Sequence, residues 1–276
     1  MSLGLALGGG GAKGLAHIPI LEAFDEAGVR PDVVSGTSIG AILGALYAAG
    51  KSAAEIRALV GDMLPADQDG FSDTLRKFTG NSLLSFFSFN FGDGGLLDTK
   101  DLETFFERAF GVTTFEELTI PLRVVAADFW KREEVVYDSG HLASAVRASM
   151  ALPGIFTAVE RDDRILVDGG GVNPLPFNLL KRECEAVVAV DVSGQKVPDE
   201  SSQPGTFEAL FGMSQIMSNS IVQEQLRTER PDLYLRPTIE NVRVLEFWRA
   251  DEIIAGAEPE KQECLDWLNG RRDAAR

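Results

Sequence analysis

The chain has 276 residues, 45% of them hydrophobic, which is enough to bury the core of one large α/β domain or of two small ones. Acidic residues outnumber basic ones by 42 to 26, and the net charge of −16 argues against nucleic acid or an anionic lipid surface as an electrostatic partner. The two cysteines, Cys184 and Cys264, lie far apart in the sequence, which predicts free thiols and no metal site. The sequence shows neither a signal peptide nor a long apolar run, and we therefore expect a cytoplasmic location.

The first elements alternate between strand and helix. Residues 3–7 are predicted to form a buried strand, and residues 15–27 have the apolar spacing of a helix, with Gly28 at its C-cap position. A second strand is predicted over residues 32–35, followed by helices over residues 38–49 and 52–63. This β-α-β-α order implies parallel strands that are joined by right-handed crossovers.

The stretch 65–97 breaks this rhythm. It is rich in Gly, Asp, Asn and Ser, yet it contains six phenylalanines. Long irregular segments in compact domains are usually functional or mobile. We predict an insertion whose phenylalanines pack on the core, or a lid that forms an apolar wall over an active site; the two interpretations are compatible.

The remaining elements complete an α/β pattern. Strands are predicted over residues 122–128, 133–137, 164–168, 186–191 and 233–235, and helices over 99–110, 141–149, 177–182, 207–227 and 251–268. No repeat, low-complexity tract or clear linker divides the chain. We therefore expect one domain over residues 1–276, with three α/β/α layers and a mostly parallel central sheet, in which residues 197–276 form a mostly helical C-terminal extension.

The segment Gly36-Thr37-Ser38-Ile39-Gly40 lies between the second strand and its following helix. A serine at such a turn can be held in a strained conformation with its Oγ above the sheet edge, and glycines on each side prevent crowding of strand and helix. The pattern also fits an ordinary turn that happens to contain serine.

The glycine run before Leu15 allows three interpretations. A P-loop is excluded because Lys13 is followed by Gly14 and lacks a glycine before it. A dinucleotide site fits Gly9, Gly11 and Gly14, but the serine turn occupies the strand end that should carry the acidic residue. In the third interpretation the glycine loop meets the serine turn, and its exposed amides stabilise an oxyanion. Lys13 would then raise the local potential, or it is simply a solvated residue.

A nucleophilic serine needs a base, and only two histidines are available. His17 lies one turn into the first helix, and His141 precedes a short helix without any supporting motif. The other candidates are Asp128, Asp168 and Asp191 at the ends of predicted strands, although each could instead cap a turn. Asp168 differs from the others because three glycines follow it, which lets the backbone approach another group. Partial burial would raise its pKa towards that of a useful base.

Three blocks of the sequence together resemble the signature of patatin-like phospholipases. They are residues 9–14, residues 36–40 and Asp168-Gly169-Gly170. The similarity extends through residues 15–18, 147–156 and 173–176, covers most of residues 3–195, and looks like the small bacterial single-domain branch of the family.

The resemblance implies a Ser-Asp dyad with Ser38 as nucleophile and Asp168 as base. It also implies an oxyanion hole formed by the backbone of Gly9, Gly10 and Gly11. The positions that complete the family motifs are Lys13, Gly14, Gly36, Gly40, Gly169 and Gly170. His17 would not belong to the dyad. The one departure is Gly8, where the family often has an acidic residue.

The family's reaction is the hydrolysis of acyl esters of phospholipids, lysophospholipids or neutral lipids through an acyl-enzyme, without a metal or another cofactor. The resemblance therefore implies a lipid substrate and a role in lipid metabolism. The negative net charge predicts no nucleic-acid partner and leaves apolar contact as the expected mode of a transient membrane interaction. The oligomeric state is left open. The alternative is a non-catalytic regulator that retains the fold and binds a lipid or a protein.

Overall fold

Eight strands form one mixed sheet in the computed structural model, which describes residues 2–63, 100–194 and 205–274. The predicted insertion or lid over residues 65–97 lies outside these ranges. The strands are β1 (Leu3–Leu7), β2 (Val33–Thr37), β3 (Leu122–Asp128), β4 (Glu133–Tyr137), β5 (Val159–Arg161), β6 (Arg164–Asp168), β7 (Ala186–Val190) and β8 (Leu233–Leu235).

Nine α-helices are assigned within the described residues. They are α1 (His17–Ala27), α2 (Ile39–Ala48), α3 (Ala53–Met63), α4 (Lys100–Phe110), α5 (Leu142–Ser149), α6 (Phe177–Leu180), α7 (Thr206–Thr228), α8 (Ala250–Ala255) and α9 (Glu258–Ala274). Short 3-10 turns lie before α1, before β3, after β6 and before α8. In this part of the chain, no helix combines the length and the hydropathy that crossing a membrane requires.

The sheet is parallel through its centre and antiparallel on one side. The order is β5-β6-β3-β2-β1-β7-β8, and β4 also pairs with β3. Strands β3, β2, β1, β7 and β8 run parallel, whereas β4 and β6 are antiparallel to β3 and β5 is antiparallel to β6. The mixed α/β prediction is therefore confirmed. The antiparallel side arises because tight turns, rather than helices, join β3 to β4 and β5 to β6.

Side chains of the central strands alternate between two apolar layers. In β1, Leu5 joins the larger cluster formed with α1 and α2, whereas Ala6 joins a smaller cluster on the opposite face. The smaller cluster also holds Phe177 of α6 and Val222 of α7. Burial on both faces explains why these strands are continuous apolar runs in the sequence.

Two of the predicted helices depart most from their ranges in the structure. The first helix is preceded by a 3-10 turn over Gly11–Ala16 and becomes α-helical only at His17. The single helix predicted over residues 251–268 is wrong, because α8 ends at Ala255 and α9 begins at Glu258. Pro259 has no amide hydrogen, and its ring would clash with the carbonyl of Ala255 in a continuous helix.

The C-terminal residues contribute to the sheet and to one helical layer. Strand β8 pairs in parallel with β7, and α9 packs along α1. Lys261 of α9 donates to the Glu22 carboxylate at 3.2 Å, and Arg272 donates to the Ala27 carbonyl at 2.9 Å. The assignment of the whole chain to one domain, with residues 197–276 as an extension, stays a prediction.

Candidate active site

Ser38 forms the turn between β2 and α2. Its backbone has φ 56° and ψ −121°, a conformation that side-chain-bearing residues rarely adopt. The Ser38 amide donates to the Oγ of buried Ser149 at 2.8 Å, which fixes the turn from the neighbouring helix α5. A Cβ on Gly40 would overlap the Leu7 carbonyl oxygen, and the other flanking glycine, Gly36, is equally enclosed. The strain is thus localised at the serine, as in a nucleophile elbow.

Asp168 ends β6 next to this serine. The Ser38 Oγ donates to Asp168 Oδ2 at 2.7 Å, and the Gly170 amide donates to Oδ1 at 2.7 Å. The sheet register explains this contact. Asp168 pairs with Ala126 of β3, and the neighbouring β3 residue, Val125, pairs with Thr37 of β2, so Asp168 and the serine turn lie on either side of β3. The structure therefore brings together the two residues on which the sequence argument depends.

The environment of Asp168 changes its basicity. The residue is 9% exposed, and burial raises the pKa of its carboxyl to about 6. The hydrogen bonds from Ser38 and Gly170 oppose this increase by stabilising the ionised form, but they do not cancel it. A carboxylate with this pKa accepts a proton near neutral pH far better than an exposed aspartate does.

The glycine loop between β1 and α1 borders the same space. The Gly9 amide is engaged with the Pro174 carbonyl at 2.9 Å, whereas the amides of Gly10 and Gly11 donate to no acceptor among the described residues. Gly11 has φ +60°, and a Cβ there would overlap the Val244 carbonyl oxygen. Of the three glycines predicted for the oxyanion hole, Gly10 and Gly11 therefore present amides that a ligand can use.

His17 and Lys13 are buried next to this loop. His17 is fully buried, and burial lowers the pKa of its imidazole to about 4, so the neutral ring donates through Nε2 to the Gly8 carbonyl at 2.8 Å. Lys13 is only 3% exposed and lines the cavity described below, so the alternative of a solvated residue is wrong. Burial lowers the pKa of its ammonium group to about 8, and the nearby Asp191 carboxylate opposes the shift.

The other candidate bases have structural partners. Asp128 accepts hydrogen bonds from the amides of Trp130 and Lys131 and thereby closes the turn that joins β3 to β4. Asp191 accepts a hydrogen bond from the Tyr234 hydroxyl at 2.6 Å and another from the Ser193 amide. The capping interpretation that the sequence left open is thus correct for both side chains.

His141 lies at the N-terminus of α5, away from the serine turn. Its Nδ1 accepts from the Ser144 amide at 3.2 Å, and its Nε2 lies 3.0 Å from a Glu107 carboxylate oxygen. Glu103, Glu107 and His141 form the one group of potential metal ligands in the described ranges. This group does not line the cavity, and Glu103 is already paired with Arg147 at 2.8 Å.

A cavity of about 740 Å³ connects these parts. Ser38, Asp168, Gly10 and Gly11 lie on its wall together with Gly9 and Gly170. The apolar side chains of its wall include Ile39, Ile42, Met150, Leu152, Ile155 and Phe211. Such a space accommodates a long apolar group next to a few convergent polar atoms.

Two supporting residues were not assigned roles from the sequence. Ser149 falls within the block 147–156, but its hydrogen bond to the Ser38 amide depends on the packing of α5 against the turn. Asn173 accepts a hydrogen bond at its carbonyl from the Thr37 hydroxyl at 2.7 Å, and its side-chain oxygen accepts from Gln225 of α7. The remaining motif positions, Gly14 and Gly169, lie where a Cβ would overlap Ile39 and the Val125 carbonyl.

Several known proteins are similar to this chain in sequence. The chain is 30% identical over 202 residues to an uncharacterized NTE family protein of Mycobacterium tuberculosis, a match that covers 72% of this chain and 52% of that protein. It is 28% identical over 279 residues to Lysophospholipase NTE1 of Candida glabrata, covering 91% of this chain and 15% of that protein. The chain thus spans about half, or much less, of the length of these relatives.

The fold is also found in solved structures. The crystal structure of VipD from Legionella pneumophila superposes with a TM-score of 0.54 at 16% identity, covering 97% of this chain and 67% of that one. The family model for patatin-like phospholipases matches residues 5–181, a range that contains the glycine loop, Ser38 and Asp168. The chain belongs to the patatin-like phospholipase family.

Proposed function

We propose that the protein is a serine acyl-ester hydrolase in which Ser38 and Asp168 act as a catalytic dyad. The observation that carries the proposal is the 2.7 Å hydrogen bond from the strained serine to a buried carboxylate on the wall of an apolar cavity. A module that only bound a lipid or a protein would need the shape of the cavity but not this pairing. The contact therefore favours hydrolysis over the regulator alternative.

The first half of the reaction forms an acyl-enzyme. Asp168 Oδ2 accepts the hydroxyl proton as Ser38 Oγ attacks the carbonyl carbon of the ester, which becomes tetrahedral. The carbonyl oxygen then carries the negative charge and accepts hydrogen bonds from the amides of Gly10 and Gly11. One such donor is typically worth about 3 kcal/mol of transition-state stabilisation. Collapse of the intermediate breaks the bond to the alcohol, which leaves with the proton from Asp168.

The second half regenerates the enzyme. Asp168 takes a proton from water, and the hydroxide that results attacks the acyl carbon on Ser38. The same two glycine amides bind the second oxyanion. Its collapse releases the carboxylic acid, and the proton on Asp168 returns to Ser38 Oγ.

The cavity favours a lipid acyl ester as the substrate. Its wall is mainly apolar, and the volume of about 740 Å³ is sufficient for a long acyl chain. The yeast relative is named a lysophospholipase, which supports phospholipids or lysophospholipids as the class for this chain. A cytoplasmic role in lipid degradation stays a prediction.

Ester hydrolysis by matched variants tests the proposal. We expect the parent protein to hydrolyse p-nitrophenyl butyrate and lysophosphatidylcholine. Ser38→Ala and Asp168→Asn should each reduce kcat by about 10³-fold or more, because dyad members act as one unit. His141→Asn serves as the control and should keep full activity. Unchanged turnover by Ser38→Ala, or an equal loss in His141→Asn, would contradict the dyad.

A further inference from the structure

The outward face of α7 is apolar and exposed. Residues 209–222 contain no charged side chain, although a quarter of the whole chain is charged. One side of this stretch, with Phe211, Ser218 and Val222, lines the cavity. The exposed apolar residues on the adjoining face are Leu210, Met213, Ile216 and Met217. Their helical spacing places them in one stripe, and Ile216 is 63% exposed. An apolar stripe normally faces the core of a domain, but this one faces solvent.

The turn between β3 and β4 adds two exposed aromatic rings. Phe129 and Trp130 contact each other edge to face with ring centroids 5.0 Å apart, and Trp130 is 74% exposed. The Asp128 carboxylate holds the turn through two backbone amides, so the rings are presented on a fixed scaffold. Lys131 and Arg132 follow them directly and are also exposed.

Both surfaces border the mouth of the catalytic cavity. Phe129, Trp130 and Met217 line the cavity and are exposed at the same time. Throughout residues 2–63, 100–194 and 205–274, all the large apolar side chains that are strongly exposed belong to these two elements. The name mouth rim is used below for these six residues, which are Phe129, Trp130, Leu210, Met213, Ile216 and Met217. An apolar surface concentrated around one opening marks an interaction site.

The chemistry of the mouth rim selects its occupant. A protein partner or a second copy would close the opening, whereas a lipid surface would bring ester groups to it. Tryptophan beside lysine and arginine suits a membrane interface, where the indole lies among the headgroups and the cations meet phosphate. The net charge of −16 disfavours a strongly anionic surface, so apolar insertion must provide most of the affinity.

We propose that the mouth rim docks on a zwitterionic phospholipid bilayer, inserting the rings of the β3–β4 turn and the apolar stripe of α7. The cavity then opens directly onto the lipid. This inference rests on the proposed function, since it names the surface from which the hydrolase takes its substrate.

Binding to phosphatidylcholine vesicles tests the docking independently of turnover. The protein carries Ser38→Ala so that the lipid is not consumed, and co-sedimentation gives the partition coefficient. We expect binding that persists at high salt, together with a blue shift of tryptophan emission that disappears in Trp130→Ser. Ile216→Ser and Trp130→Ser should each lower the partition coefficient by about tenfold or more, because each removes a large inserted side chain. Glu224→Ser, an exposed position farther along the same helix, is the control and should bind like the parent.

Three results would overturn the inference. They are no binding to phosphatidylcholine at any lipid concentration, equal binding by the parent and both mouth-rim variants, and binding that is abolished by salt. Self-association of the parent that is lost in Ile216→Ser would identify a second copy as the occupant and would also overturn it. Vesicle binding without any ester hydrolysis by the unmutated chain would instead refute the proposed function and leave the docking intact.

Discussion

Acidification should inactivate the enzyme through protonation of Asp168. The proposed mechanism uses this side chain as a base, so only its ionised form starts the reaction. Burial raises its pKa from an ordinary value of 3.8 to about 6. The acid limb of kcat/KM should therefore be centred near pH 6, about two pH units above the position expected for an exposed aspartate.

The expected rates follow from the fraction of ionised carboxylate. With a pKa of about 6, kcat/KM at pH 5 should be about one-tenth of its plateau value, and at pH 6 about one-half. A carboxyl group that retained its ordinary pKa would leave more than about nine-tenths of the activity at pH 5. The two cases thus differ by about tenfold at a single pH.

The assay uses a short-chain p-nitrophenyl ester, which does not itself ionise in this range, followed at the isosbestic wavelength of p-nitrophenol. Histidine side chains ordinarily titrate near the same pH, so His141→Asn is the essential control. His17 cannot account for the limb, because burial lowers its pKa to about 4. The reasoning would be refuted by a plateau that extends to pH 5, or by a limb that disappears in His141→Asn.

Three further variants test the geometry around the serine. Asp168→Asn should become more stable relative to the parent as the pH rises from about 4 to 8, by up to about 3 kcal/mol in urea unfolding. The pKa of Asp168 is about 6 in the folded protein and 3.8 in the unfolded chain, so the parent loses stability as the pH rises from about 3.8 through 6. The asparagine of the variant does not ionise, and the variant therefore does not lose this stability. Ser149→Ala should lower kcat more than it changes KM and should cost about 1–3 kcal/mol of stability, because the Ser38 amide loses its buried acceptor. Gly11→Ala should reduce kcat by about 10²-fold or more, because its Cβ would overlap the Val244 carbonyl and displace the oxyanion loop.

Matched controls separate these effects from general damage. A stability difference between Asp168→Asn and the parent that is the same at pH 4 and pH 8 would contradict the ionisation argument. Ser144 lies on the same helix as Ser149, but its hydrogen bond to His141 uses the backbone amide, which alanine also has. Ser144→Ala should therefore leave kcat unchanged. Gly61→Ala places a Cβ in open space within α3, so it should leave activity intact and should not lower the melting temperature. Full activity in Ser149→Ala or Gly11→Ala would show that the turn or the loop does not need its present geometry.

The buried strands could be predicted with nearly correct ends. The sequence alone places β3 and β6 at residues 122–128 and 164–168, as in the structure, because the apolar core of each strand is bounded by polar residues. Strand β5 was not predicted, since three residues carry too little periodicity to distinguish an edge strand from a turn. The break between α8 and α9 depends on Pro259 and could have been predicted from that residue.

The candidate site was only partly accessible to sequence reasoning. Proximity of Ser38 to the glycine loop follows from parallel β1 and β2, which end at one edge. The contact with Asp168 depends on the antiparallel register of β6 against β3, which no local pattern specifies. In the same way, the engagement of the Gly9 amide and the burial of Lys13 result from chain segments that lie far away in the sequence.

Covalent labelling of Ser38 tests the central claim most directly. A fluorophosphonate is attacked by an activated serine and forms a stable adduct at its Oγ, whereas an unactivated hydroxyl does not react at a comparable rate. After digestion of the protein, mass spectrometry locates the modified residue. The dyad predicts a single adduct on Ser38 that is absent in Ser38→Ala and forms far more slowly in Asp168→Asn. Labelling of a different residue, or undiminished labelling in Asp168→Asn, would contradict it.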